Sequence, residues 1–241
     1  MPAYAKPPIT EAVIELRWGD AISRDSAAKA RARLNDVFPF EQELKTIKIV
    51  ASENQAVSVT EDFEALKLRS LDASNILLIG ARNFAHSRLP PYLGWEVIYA
   101  EAKQYWDVFS RVCKAGPLQR VGVRYINRVD IPAVPGSLLH NEEYLAIYPQ
   151  VPSVGNVVGD YRITVQMMPD ESTRCAIRVE SGPVPAPLVD HAAFLLDVDI
   201  SLSEDLPTRD ADIWALINEM GRLKSRVFES LITDKCRELF Q

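Results

Sequence analysis

The sequence predicts an α+β protein, a single domain over residues 1–241 built from two tandem β-α-β-β-β-(β)-α halves, 1–116 and 117–241. The halves would form one curved antiparallel sheet with helices on one face and a long C-terminal helix. Three observations carry this. Short segments in which apolar and polar residues alternate recur in runs of three or four. Each run is followed by a segment with apolar residues at helical spacing. Gly116-Pro117 divides the chain into two stretches with the same order of elements.

The first strand is Ile9–Trp18, where Ala12, Ile14, Leu16 and Trp18 alternate with Val13, Glu15 and Arg17. Ser23–Phe38 reads as a helix, capped by Ser23 or Asp25 and stopped by Pro39. Leu44–Ala51, Ala56–Thr60 and Leu66–Leu71 read as three strands, and Asp72-Ala73-Ser74-Asn75 as a turn into a further strand, Ile76–Phe84. Pro90-Pro91 makes a stiff corner. From about Gly94 to Ala115, Trp95, Ile98, Ala102, Tyr105, Phe109 and Val112 form one helical stripe.

The second half opens on a long strand, Leu118–Ile131, followed by a loop with Pro135-Gly136 and a short helical segment near Asn141–Ile147, ended by Pro149 and Pro152. Strands at Asp160–Met168, Thr173–Glu180 and His191–Leu202 come next, with Pro183, Pro185 and Pro187 in the last connection. Asp210–Phe240 closes the chain as an amphipathic helix that Gly221 or Thr233-Asp234 could interrupt. This order is similar to the TATA-binding-protein-like and helix-grip superfolds, an analogy of fold that carries no function.

Composition narrows the function. The 27 Lys and Arg against 33 Asp and Glu give a net charge of −6, which argues against a broad nucleic-acid or anionic-membrane surface. No apolar run reaches the length of a signal peptide or a membrane span. Cys113, Cys175 and Cys236 are far apart and odd in number, as expected of reduced thiols in a cytoplasmic protein.

Four segments carry a family resemblance: Lys6–Glu15, Ser87–Glu96 together with Phe84, Val123–Pro132, and Ile232–Phe240. Taken together the chain resembles a family of sporadically distributed bacterial proteins of about this length, with Arg124-Tyr125-Ile126-Asn127-Arg128 as the most specific stretch. Cys236 stands where that family leads one to expect Ala. The family has no assigned activity. Its patchy distribution implies mobile accessory genes, such as defence or toxin-linked operons.

Two places could hold a site. On the strand Leu118–Ile131, Arg124, Ile126, Arg128 and Asp130 lie on one face, with Arg162, Arg178, Asp197 and Asp199 as candidates for the same face on neighbouring strands. Such a face is a solvated surface of cross-strand ion pairs, an anion site built on Arg forks, or a protein-docking face. Tyr125 and Asn127 lie on the opposite, apolar face, where the Asn127 amide needs partners and either bonds a loop backbone or contacts a ligand. The second place is the Pro-stiffened corner with Arg88, Tyr92, Trp95 and Glu96; there the plain alternative has the aromatics capping the core and Arg88 pairing with Glu96.

No catalytic template is met. His86, His140 and His191 have no ligand spacing, and nucleophile-elbow and phosphate-loop motifs are missing. The Asp197-x-Asp199 pair could hold a divalent cation, but it reads more simply as a strand face. We therefore expect no cofactor, no metal and no catalytic residues. The expected partner is another protein, encoded nearby. The alternatives are an enzyme or binder holding a small anionic molecule in a pocket between sheet and C-terminal helix, or a nucleic-acid binder. Nucleic acid is the weaker of these because the basic run Arg24, Lys29, Arg31 and Arg33 lacks interleaved aromatics. A homo-oligomer is compatible with the sequence; the C-terminal helix and the Ile76–Ile79 strand each either hide an interface or are simply core.

Overall fold

A computed structural model describes residues 4–52, 55–133, 139–150 and 160–241. The strands are β1 (Ile9–Trp18), β2 (Phe40–Ser52), β3 (Gln55–Arg69), β4 (Asn75–Gly80), β5 (Asn83–Arg88), β6 (Leu118–Pro132), β7 (Ile163–Met167), β8 (Ala176–Val184) and β9 (His191–Leu202). The helices are α1 (Arg24–Ala32), α2 (Trp95–Val112), α3 (Asp210–Ser230) and α4 (Asp234–Glu238), with a 3-10 turn at Asn141–Glu143. The strands form one nine-stranded antiparallel sheet in the order β2-β3-β4-β5-β1-β6-β9-β8-β7. In each half the first strand lies beside the last: β1 beside β5, and β6 beside β9. The α+β class and the antiparallel sheet are as the sequence predicts.

The residues group into two compact units. One holds Met1–Val13, Gly122–Leu202 and Ala211–Gln241; the other holds Ile14–Val121 and Ser203–Asp210. β1 and β6 each run through both.

In the second of these units, Ala12's neighbours on the buried face of β1, namely Ile14, Leu16 and Trp18, are fully or almost fully buried. The helix α2 supplies the matching stripe of Ile98, Ala102, Tyr105, Trp106 and Phe109. Aromatic rings join strand to helix: Trp18 lies 5.4 Å from Phe109, and Phe84 lies 5.4 Å from Trp106. Gly94 starts α2 at a φ of 104°, a backbone region that favours glycine, just past the cis Pro90-Pro91 bond.

In the other unit, α3 buries Ile213, Ile217, Met220, Leu223 and Val227. The facing side of β6 buries Val123, Tyr125, Val129 and Ile131. The backbone carbonyl of Tyr161 approaches Gly182 so closely that a Cβ there would sit 2.5 Å from it.

Several boundaries differ from the sequence reading. Ala56–Thr60 and Leu66–Arg69 belong to one strand, β3, with Ser70 and Leu71 already in the turn; β3 carries an extra residue at Glu64: Leu44 faces Ala65 while Lys45 faces Phe63. That bulge breaks the period-2 pattern. Ile76–Phe84 is a hairpin rather than one strand, turning at Ala81-Arg82. It lies inside the sheet, so the Ile76–Ile79 segment has strands on both sides and offers no interface edge. The first helix stops at Ala32 and continues as turns. Around Asn141–Ile147 the helical part is only the 3-10 turn, because Leu145 bridges to Ile232 instead. Pro183 lies within β8.

The C-terminal helix breaks after Ser230. Thr233 caps α4 by accepting from the Cys236 amide at 3.3 Å, and its own hydroxyl donates to the Glu143 carbonyl. The predicted loop at Pro135-Gly136 and the stop at Pro152 lie outside the described residues. Among the described residues no helix is long and apolar enough to cross a membrane.

The Thr233 cap gives a first test. Thr233→Ala removes one helix cap and one loop tether, and it is expected to cost about 1–2 kcal/mol in urea unfolding.

Candidate functional site

β6 alternates as a half-buried strand must. Asn127 occupies a position on its buried face, and the cost of placing an amide there is met locally: Nδ2 donates to the Leu196 carbonyl at 2.9 Å and to the Tyr125 carbonyl at 3.3 Å. This Asn fastens β6 to β9.

On the other face, Arg124 Nε donates to Asp197 Oδ1 at 2.9 Å, and Nη2 takes the second oxygen. The pair is bidentate, and it explains why Asp197 is nearly buried (side chain 5% exposed) while Arg124 is half exposed (49%). Hydrogen bonding to Asp197 holds the Arg124 guanidinium charged well above its ordinary range, against the opposing effect of burial. Arg128 pairs along its own strand with Asp130 at 3.0 Å. Further out, Arg162 reaches Glu180 at 3.5 Å, and Arg178 pairs with the same carboxylate.

The strand register explains this pattern. Glu180 lies directly across from Asp197, and Arg178 directly across from Asp199. Two facing carboxylates repel. Arg124 on one side and Arg162 with Arg178 on the other offset that repulsion. Of the three readings of this face, the ladder of ion pairs describes its geometry. The Arg124 fork is already filled by Asp197, as an anion would fill it, and the same contact occupies Asp197 as a cation ligand. Among the described residues no three His, Cys, Asp or Glu side chains group as metal ligands would.

At the Pro-rich corner Arg88 is drawn away from Glu96. Arg88, on β5, turns inward and pairs with Glu101 of α2 at 3.0 Å, not with Glu96. Glu96 is exposed in the first turn of α2, where a negative charge is favourable. Trp95 packs against Tyr99 with ring centroids 5.8 Å apart, and Tyr92 is half-buried.

Arg88 belongs instead to a buried polar cluster. The Asn75 amide fits best with its oxygen accepting from Arg88 Nη1 at 2.8 Å and its nitrogen donating to His86 Nε2 at 2.9 Å and Glu101 Oε2 at 3.2 Å. The reverse orientation would set the amide oxygen against a carboxylate. His86 is fully buried, and burial together with the nearby Arg88 charge pushes its pKa down to about 3, so it stays neutral at ordinary pH. Burial raises the Glu101 carboxyl, a shift that Arg88 opposes.

Another buried cation was not singled out from the sequence. Lys224 of α3 is only 7% exposed, and its Nζ sits 3.5 Å above the centre of the Tyr125 ring. Burial pushes its pKa down to about 7, with Glu229 opposing. Its signal was present: Lys224 falls four residues after Met220, on the apolar stripe of the helix. Along the outer side of α2 an open groove of about 440 Å³ is lined by Tyr99, Lys103, Gln104, Asp107 and Arg111.

No protein-family model matches this chain, and no curated protein matches it. The functional reading therefore rests on the geometry above.

Two outcomes test this geometry. Arg124→Gln leaves a nearly buried carboxylate beside Glu180 and is expected to cost about 2 kcal/mol, discounted for the exposure of Arg124. The double change Arg124→Met with Asp197→Leu is expected to recover most of that loss in urea unfolding. Lys224 sets a pH dependence. Between pH 7 and its unfolded pKa of about 10.4, this amine binds more proton in the unfolded chain, so its own contribution to stability rises with pH, while the buried Cys113 and Cys236 thiols, pushed up in the fold, act with the opposite sign above about pH 8.5. Lys224→Met removes that contribution and leaves the others in place. Relative to the wild type, the variant is expected to lose about 1 kcal/mol per pH unit from pH 7 to 10.

Proposed function

We propose that this chain is a non-catalytic binding or adaptor protein that docks a protein partner on the ion-paired face of β6, β9, β8 and β7. The observation that carries the proposal is the state of the arginines there. Arg124, Arg162 and Arg178 have side chains 49%, 65% and 53% exposed, yet each is held by a carboxylate. Arginine is favoured at protein interfaces, and pinned side chains lose less entropy on docking than mobile ones. The resemblance to sporadically distributed bacterial proteins supports a place in a cytoplasmic accessory system, defence or toxin-linked, with the partner encoded nearby.

A second reading has one observation in its favour. Lys224 places a buried amine between β6 and α3, where a pocket for a small anionic molecule would lie and where a bound anion would favour the charged form that burial disfavours. Nucleic acid is the weakest reading, because carboxylates compensate the arginines of the face.

Binding to the products of neighbouring genes, measured by titration calorimetry on purified proteins, tests the first reading. Arg162→Glu with Arg178→Glu is expected to weaken the complex at least about tenfold. An unchanged affinity, or no binding by any neighbouring product, defeats it.

A further inference from the structure

β2 is the outermost strand of the sheet, and its outer edge carries no strand among the described residues. It is 13 residues long, whereas the opposite edge strand, β7, has 5. Long open edges are unusual unless something pairs with them. The register between β3 and β4 covers only Ala65–Arg69, so β2 and β3 continue past the Glu64 bulge as a ribbon with no third strand among the described residues. Two-stranded ribbons are marginal by themselves.

We propose that β2 pairs antiparallel with β2 of a second copy, about a two-fold axis through Leu44. A two-fold axis perpendicular to a sheet sets one residue against itself, so the possible registers are few. Centring on Glu43 or on Lys45 brings two like charges face to face. Centring on Gln42 sets Glu41 against Glu43. Centring on Thr46 sets Lys45 against Ile47 and pairs no opposite charges, and centring on Phe40 or Ile47 pairs none either. Centring on Leu44 alone sets Glu43 against Lys45 of the other copy, twice, with Leu44 against Leu44, Gln42 against Thr46 and Glu41 against Ile47.

The intramolecular contacts extend this match. Glu43 already accepts from Arg24 at 2.7 Å, and Lys45 already pairs with Glu61 at 2.8 Å. The dimer would therefore create two rows of alternating charge, Arg24–Glu43–Lys45–Glu61, each crossing the axis. Such networks stabilise more than isolated surface pairs. A single strand edge buries less than the about 1,200 Å² typical of stable complexes, which makes this a weak, concentration-dependent dimer. The proposal is independent of the arginine face described above.

Sedimentation equilibrium of the full chain tests it, from about 1 to 200 μM, the range suited to a transient interface. The wild type is expected to dimerise over that range. Glu43→Lys and Lys45→Glu each set like charges across the axis and are expected to weaken the dimer at least about tenfold. An equimolar mixture of the two single variants restores opposite charges at both positions, as does the double variant. Both are expected to recover dimerisation well above that of either single variant, the mixture more than the double variant because one of its two rows still alternates with Arg24 and Glu61; recovery in the mixture also shows that each single variant is folded. A wild type that stays monomeric throughout overturns the proposal. So does a dimer indifferent to the single changes, or one that the mixture does not restore.

Discussion

A strand covered by helices on one face and by solvent on the other must satisfy two environments with one run of residues. That constraint governs both units of this protein. On β6 the buried positions are apolar except Asn127, whose amide is spent on the backbone of its neighbour. The outer positions carry Arg124, Arg128 and Asp130, joined to carboxylates along and across strands. In the other unit, β1 buries Ile14, Leu16 and Trp18 against the helices, while Glu15 on its outer face meets Arg17 and Arg120. The charges of the outer face thus answer one another.

Much of this was legible in the sequence, because one-sided burial writes itself as a period of two. β1, β6 and β9 were readable almost to the residue. The reading failed where an element departs from its period. Glu64 shifts the alternation of β3 by one position, so one strand looked like two. At Ala81-Arg82 the chain turns without glycine or proline at the turn itself, so two strands looked like one. The C-terminal helix ends because Leu231–Thr233 bonds to the Glu143–Ala146 segment, a contact made by residues almost ninety positions away.

The candidate site shows the same division. Alternation placed Arg124, Arg128, Arg178 and the two aspartates on one face correctly. It could not show that Arg124 would find Asp197, because that depends on which strands become neighbours. Arg88 was expected beside Glu96 since both lie at one corner. The structure sends Arg88 under α2 to Glu101, Asn75 and His86, where burial in a low-dielectric core strengthens pairing with a carboxylate. Lys224 was overlooked because a lysine on an apolar stripe is ordinarily assumed to extend its amine to water. Here the amine stays under the strand, above the face of Tyr125.

The Glu64 bulge also has a consequence for how this chain can vary in length. Leu44 faces Ala65 and Lys45 faces Phe63, so β2 keeps an unbroken alternation and the two faces of the ribbon stay continuous across the bulge. The extra residue is taken up locally, as added twist and as a one-position shift in the pattern of β3. Deleting position 64 would therefore restore a strict period of two along β3 and leave both faces where they are. A single insertion or deletion elsewhere in β3 has no such release: it must make a bulge of its own, or slip the register and exchange the faces of the residues beyond it.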